Sequence, residues 1–213
     1  MNYLDILQDH EVMAILTQID IANQDKPKHY GVMHVLATLK YAKTLAKCFG
    51  LTAKEQEMLF ISCVLHTLGH LNGISLHEQT GSEMARVYLK KHGFQPRYIN
   101  IICNAIESHR GRREDNFYDN VSACLILADK MNFGADRIKE ELAHVSEEFE
   151  ICKQITYVDV QLKNGALELL LGGENVDWDG FIATTTYAKL YRCFKMVAKK
   201  YGYKFIPRVT TDF

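Results

Sequence analysis

The chain has 213 residues, of which 47% are hydrophobic and 24% are charged, and its formal net charge is −1. This length suits one domain, or one domain with a small appendage, and the composition is that of an ordinary globular protein. A balanced charge gives no electrostatic reason for a polyanionic partner over the whole surface, so the sequence argues against a nucleic-acid-binding protein. Six cysteines without a C-x-x-C pair argue against a zinc–thiolate site and favour buried thiols in a reducing cytoplasm.

Helical periodicity dominates the first two thirds of the chain. It predicts helices over residues 4–23, 30–49, 52–65, 78–91, 96–109, 120–133 and 136–149. Thr52 and Glu55 have the form of a capping box at the start of the third helix, and Pro96 fits the first turn of the fifth. The glycines at positions 69 and 73 predict a loop between the third and fourth helices.

The pattern changes after residue 150. Alternating and β-branched residues over 155–162 and 166–171 flank Asn164-Gly165, which is a strong hairpin signal. A last helix is predicted over 178–201, followed by a short tail that contains Pro207. We therefore expect a mainly α fold, with a helical domain over 1–150 and a small C-terminal β-hairpin plus a final helix over 151–213 that pack on the same body.

The uncharged stretch 58–77 is long enough to raise the question of a membrane span. It contains three histidines, an asparagine, two glycines and two serines, which are costly in lipid. A buried helix that runs into a polar loop explains it better. The N-terminal segment has no basic region ahead of an apolar core, so we expect no secretory signal, no membrane partner and a cytoplasmic location.

Four residues that can bind metal ions are spread over four predicted helices. His34 lies in the second, His66 ends the third, His109 ends the fifth and Asp129 lies within the sixth. Imidazoles and a carboxylate suit a divalent ion such as Mn, Fe, Ni, Co, Zn or Mg, and separate packed helices would hold them rigidly. A bound ion could lower the pKa of a water molecule and polarise a phosphoryl oxygen. The alternative for each histidine taken alone is a hydrogen-bonded residue of the core.

The ordered set resembles the HD-domain superfamily of metal-dependent phosphohydrolases. The pattern of that family is a helix-borne His, an adjacent His-Asp pair, one or two intermediate His and a distant Asp. His34 matches the first position, His66 the pair, His77 and His109 the intermediate positions and Asp129 the last. The surrounding segments CVLH, AIESH and ADK also resemble the family. The resemblance covers roughly residues 25–140 and implies an HD-like helical bundle, a divalent metal and hydrolysis of a phosphate ester or nucleotide.

One position departs from this pattern. Where the family has the metal-binding Asp of the pair, this chain has Thr67, whose hydroxyl is neutral. The resemblance then implies weaker metal binding, with Asp129 as the one carboxylate, unless His70 replaces the missing ligand. The spacing of His66 and His70 also resembles the zincin motif, but Thr67 stands where that motif needs its glutamate.

Two functions follow from the resemblance. The first is a metal-dependent phosphohydrolase-like protein acting on a small phosphorylated or nucleotide ligand, with His66, Asp129 and Arg110 in the catalytic roles. The second is a catalytically impaired HD-domain protein that serves as a ligand-sensing or partner-binding module. The substrate, the metal and the assembly state stay open, and a homo-oligomer is one of the states that the sequence allows.

The densest basic cluster of the chain is the loop that begins at Arg110 and includes Arg112 and Arg113. A guanidinium group matches phosphate in a bidentate manner, so Arg110 and Arg112 are candidate phosphate contacts, as is Lys130 beside Asp129. The alternatives are a solvated surface loop and, for Lys130, a structural salt bridge.

Overall fold

The computed structural model describes residues 1–73, 75–112, 117 and 119–209. Within these residues the chain forms ten α-helices, two short 3-10 helices (Leu68–Asn72 and Glu140–Val145) and three β-strands. In chain order the main elements are α1 (Tyr3–Leu7), α2 (His10–Ala22), α3 (Val32–Cys48), α4 (Ala53–Leu65), α5 (His77–Lys91), α6 (Pro96–Ser108), α7 (Asn120–Met131), α8 (Glu147–Lys153), β1 (Tyr157–Lys163), β2 (Ala166–Gly172), α9 (Trp178–Ala183), α10 (Thr185–Lys200) and β3 (Lys204–Val209). The prediction of a mainly helical fold with a C-terminal hairpin and a further helix is confirmed.

Helix α7 lies at the centre of the packing. Every residue from 121 to 128 is buried, and the helix contacts α3, α4, α6 and α10. A helix that is apolar on all sides must be surrounded by other elements. The last residues of α7, together with the neighbouring ends of α3, α4 and α6, therefore come close to one another.

Two of the predicted helices are each divided by an N-cap residue. The helix predicted over 4–23 is interrupted at Asp9, whose carboxylate accepts hydrogen bonds from the backbone N–H groups of Glu11 and Val12. The helix predicted over 178–201 is interrupted at Thr184, whose hydroxyl accepts from the N–H of Tyr187. Short polar side chains of this kind compete with the helical backbone and start a new helix instead.

The helix predicted over 136–149 is wrong. This segment holds a 3-10 helix and the start of α8. Its first residues do not form a helix because their backbone groups form hydrogen bonds with residues 27–29. Lys28 and Ile138 form an antiparallel bridge, and the N–H of Lys139 donates to the carbonyl of Pro27 at 2.9 Å. These hydrogen bonds replace the helical ones.

The C-terminal sheet has the strand order β1-β2-β3. Strands β1 and β2 are antiparallel, as predicted, and turn at Asn164 and Gly165, which both have positive φ. The tail predicted after the last helix is instead strand β3, parallel to β2, with Pro207 opposite Leu169. Pro207 lacks an N–H, which an edge strand tolerates. The sheet contacts the helices through β1 against α3 and β3 against α10.

The segment after α4, predicted as a loop from its glycines, begins with a 3-10 helix that packs on α5. A Cβ atom at Gly69 would collide with the carbonyl oxygen of His77 and would lie 2.6 Å from the backbone nitrogen of Gly81. Only glycine allows this close approach of two backbones. It holds the end of α4 beside the start of α5.

The described part of the chain contains no single helix that is long and apolar enough to cross a membrane. Within the same residues, one pair of helical segments, 53–72 and 77–91, meets the test of length and composition when the two are taken together. The two segments are bent by 118° relative to each other.

Candidate metal centre

Three of the predicted metal ligands converge at the ends of three helices. His34 lies in the first turn of α3, His66 caps the C-terminus of α4 and Asp129 lies in the last turn of α7. The Nε2 atoms of the two histidines are 3.1 Å apart. Oδ1 of Asp129 lies 3.2 Å from Nε2 of His34 and 3.8 Å from Nε2 of His66. These three side chains could hold a metal ion.

The spacing of the three atoms fits a shared ion. Two donor atoms that are each about 2.1 Å from one ion, at angles of roughly 90° to 110°, lie about 3.0 to 3.4 Å apart. The separations of 3.1 and 3.2 Å fall in this range, and 3.8 Å corresponds to a wider angle. Two imidazoles and one carboxylate are a donor set for a borderline divalent ion.

The backbone determines which nitrogen of His66 faces the site. Nδ1 lies 2.8 Å from the carbonyl oxygen of Cys63. Because a carbonyl oxygen only accepts, Nδ1 carries the proton, and Nε2 keeps its lone pair for the site. His109 has the same arrangement, with Nδ1 at 2.5 Å from the carbonyl oxygen of Ile106. Both histidines thus keep an acceptor nitrogen, which faces His34 in the case of His66 and His77 in the case of His109.

His34 is oriented by a residue that the sequence analysis did not single out. Nδ2 of Asn132 lies 2.7 Å from Nδ1 of His34, and both side chains are buried. Asn132 follows Asp129 by three residues, a spacing that puts both on the same side of a helix end. The three-residue spacing from Asp129 could therefore have indicated from the sequence that Asn132 lies near the site.

Asp129 is ionised in this environment. Burial alone would raise the pKa of its carboxyl group, but the adjacent charge of Lys130 holds the pKa well below its usual range. Nζ of Lys130 lies 2.5 Å from Oδ2 of Asp129, which leaves Oδ1 facing the two histidines. The carboxylate therefore supplies the negative charge of the centre.

Five histidines form a continuous row through the site. The ring centroids are 4.9 Å apart between His34 and His66, 5.2 Å between His66 and His109, and 5.0 Å between His109 and His77. His70 stacks on His77 at 4.0 Å. The Nε2 atoms of His77 and His109 are 3.1 Å apart, a second pair with the same separation as the first.

His70, at the end of this row, and Thr67 each have a buried polar atom without a partner among the described residues. His70 is not in the group of ligand atoms formed by His34, His66 and Asp129, and its Nδ1 has no hydrogen-bond partner within the described ranges. Burial, followed by the nearby His77 and His66, lowers the pKa of His70 to about 3. Thr67 is completely buried, and its hydroxyl likewise lacks a partner among the residues that the structure describes.

The predicted phosphate contacts are held near the site by carboxylates. Nη1 of Arg110 lies 3.1 Å from Oε2 of Glu78, and Nη1 of Arg112 lies 3.4 Å from the other oxygen of the same carboxylate. Lys130 pairs with Asp129. The third arginine of the predicted cluster, Arg113, lies outside the described residues.

The metal centre opens into a cavity of about 410 Å³. His34, His70, His77, His109 and Asp129 line it together with Arg110, Arg112 and Lys130. The other lining residues were missed in the sequence, because they come from distant segments: Lys28, Tyr30, Arg137, Lys189 and Arg192. Seven of the thirteen lining residues are Lys or Arg, and one is acidic, so a chain of nearly zero net charge contains a strongly cationic pocket.

Comparison with known proteins agrees with this geometry. No curated protein matches the chain. The family model of the HD domain matches residues 31–158, which is more than half of the chain and includes every histidine of the row and Asp129. The protein therefore belongs to the HD-domain family, which points to the superfamily of metal-dependent phosphohydrolases and typically binds divalent metal ions.

Proposed function

We propose that this protein is a divalent-metal-dependent phosphohydrolase that acts on a small phosphorylated molecule or nucleotide. The observation that carries the proposal is the convergence of His34, His66 and Asp129 at a cationic cavity. A cavity of about 410 Å³ has the size of a small-molecule site. Its excess of lysine and arginine favours an anionic ligand.

In this function His34, His66 and Asp129 are the metal ligands, and His77 and His109 assist them. When bound, the ion would lower the pKa of a water molecule and polarise a phosphoryl oxygen. Arg110, Arg112 and Lys130 would bind the phosphate oxygens and stabilise the negative charge that develops on them. Water would form the new O–P bond while the ester P–O bond breaks, and the leaving oxygen would take up a proton.

The test combines metal binding with turnover. Purified protein is titrated with Mn²⁺, Fe²⁺, Co²⁺, Ni²⁺, Zn²⁺ and Mg²⁺, and hydrolysis is measured on a panel of nucleotides and sugar phosphates. His34→Gln and Asp129→Asn should each lower turnover by at least about 100-fold, since removing one ligand changes the whole site. His10→Gln, an exposed histidine at the start of α2, is the matched control. The proposal is overturned if no metal binds and no member of the panel is hydrolysed.

A second candidate function is a ligand-sensing or partner-binding module with impaired catalysis. Thr67 supports it, because this residue directly follows His66 and offers a neutral hydroxyl where the resemblance to the family implies an aspartate. The site would then have one carboxylate for a dication, and metal affinity would be weaker.

Thr67→Asp separates the two candidates. An inert wild type whose Thr67→Asp variant gains tight metal binding and hydrolysis would support the impaired module. A wild type that already hydrolyses phosphate esters, and changes little on substitution, would support the enzyme.

A further inference from the structure

Two basic residues of the cavity, Lys28 and Arg137, lie on two distant segments that backbone hydrogen bonds join. Lys28 and Ile138 form an antiparallel bridge. On either side of it, the N–H of His29 donates to the carbonyl of Arg137 at 2.9 Å, and the N–H of Lys139 donates to that of Pro27 at 2.9 Å. Lys28 and Arg137 are therefore fixed relative to each other, although they lie 109 positions apart in the sequence.

Arg137 is a buried cation with no carboxylate at ion-pair distance among the residues that the structure describes. Its exposed fraction is 8%, its guanidinium lies 5.2 Å from the centre of the Tyr30 ring, and its Nη1 has no hydrogen-bond partner in the described residues. Asp20, an acidic residue whose charge acts on Arg137, uses its carboxylate to accept hydrogen bonds from the backbone N–H groups of Gly31 and Val32. Burying such a charge is costly unless something compensates it.

Lys28 is in a similar position. Its ammonium lies 4.9 Å from the centre of the Phe149 ring. Burial, and then the charge of Arg137, lowers its pKa. The nearby Glu148 accepts hydrogen bonds from Thr185 and Thr186 instead, and no ion pair of Lys28 is found within the part of the chain that the structure describes.

Five of the seven cations of the cavity fall into two groups. Arg110 and Arg112 pair with Glu78, and Lys130 pairs with Asp129. Lys28 and Arg137, by contrast, face the cavity with no carboxylate at ion-pair distance among the described residues. An anionic group of the ligand would supply the missing partner.

We propose that Lys28 and Arg137 form a second phosphate subsite, so that the ligand of this cavity carries at least two phosphate groups. This inference rests on the proposed function for the first phosphate, which would lie at the metal centre beside Arg110 and Lys130. The second phosphate would be bound but not cleaved. Lys189 and Arg192, three residues apart on α10, line the same cavity and add to its positive potential.

The test measures the binding of orthophosphate, pyrophosphate and tripolyphosphate to the full chain by calorimetry at physiological ionic strength. The wild type should bind at least one of the two longer ions about 10-fold or more tightly than orthophosphate, since the second subsite adds charge-assisted hydrogen bonds. Lys28→Met and Arg137→Gln should each remove most of this advantage and leave orthophosphate binding within about 3-fold. Arg137→Lys should restore part of it.

Two controls make the result specific. Lys195→Met removes an exposed lysine of α10 that does not line the cavity, and it should change none of the three affinities. Lys28→Met is the informative variant if Arg137→Gln fails to fold, because Lys28 is only partly buried.

The inference is overturned if neither longer ion binds more tightly than orthophosphate, or if Lys28→Met and Arg137→Gln leave the advantage unchanged. A failure of the proposed function looks different. In that case the wild type and His66→Gln hydrolyse nothing, yet both still prefer the longer ions through Lys28 and Arg137.

Discussion

The side-chain amide of Asn132 lies against the ring nitrogen of His34 that faces away from the metal centre. Nδ2 is 2.7 Å from Nδ1 of His34, while Oδ1 of the same amide has no partner within the described ranges. A metal-bound His34 must offer the lone pair of Nε2, so its Nδ1 then carries the proton. A rotation of the amide by about 180° would present Oδ1 to that proton and give the oxygen its missing partner.

Asn132→Ala should therefore weaken metal binding by about 10- to 100-fold, the usual effect of removing a residue that orients a ligating histidine. Asn132→Asp should keep most of the affinity, because its carboxylate also accepts from Nδ1. Metal titration followed by calorimetry measures both. Equal affinities of the wild type and Asn132→Ala would contradict this role.

The stability of the metal-free protein should fall as the pH drops below about 6.5. Burial lowers the pKa of His70 to about 3 and that of His109 well below its usual value. The unfolded chain then takes up these protons first, so the free energy of unfolding decreases by about 1.4 kcal/mol per pH unit for each such histidine between the unfolded and folded pKa values.

Urea unfolding in the presence of a chelator at pH 7.5, 6.0 and 5.0 measures this slope. His70→Gln should reduce this slope by about 1.4 kcal/mol per pH unit, the contribution of one histidine. The control His10→Gln, at an exposed residue, should leave the slope unchanged. A wild-type stability that is constant between pH 7.5 and 5.0 would show that these histidines are not buried in their neutral form.

Gly69→Ala should destabilise the protein by about 1–3 kcal/mol or more, because the new methyl group would collide with the backbone of α5 at His77. Since this contact fixes His77 beside His109, metal affinity should fall as well.

Gly81→Ala is the matched comparison. Its Cβ would lie 3.3 Å from the nitrogen of Gly69, and the gain in helix propensity offsets part of the crowding, so a change within about 1 kcal/mol is expected. Thermal unfolding of both variants measures the two changes in stability. Similar losses of stability in the two variants would contradict the close contact between Gly69 and the backbone of α5.

Thr67→Val should stabilise the metal-free protein by about 1 kcal/mol. The hydroxyl of Thr67 is buried without a hydrogen-bond partner among the described residues, and valine has nearly the same shape without the polar atom. Chemical unfolding in a chelator provides the measurement. A loss of stability greater than about 1 kcal/mol would indicate that the hydroxyl is hydrogen-bonded in the folded protein.

Several features of this protein could be predicted from the sequence alone because local chemistry determines them. The capping box of Thr52 and Glu55 starts α4 as predicted, and the Asn164-Gly165 turn forms the hairpin. The order of His34, His66, His109 and Asp129 indicated the HD family, which the family match confirms. In each case the signal lies in residue types at short or ordered spacings.

Only the tertiary structure decided the rest. Asp9 and Thr184 can either continue a helix or cap a new one, and helical periodicity does not distinguish the two. Strand β3 forms because its pairing with β2 outweighs the local pattern, at a sheet edge where Pro207 is tolerated. The placement of Lys28 and Arg137 at one cavity depends on a backbone bridge between distant segments. A lysine and an arginine in polar stretches look like solvated surface charges in a sequence, and only the fold brings them to the wall of one cavity, where no described carboxylate pairs with them.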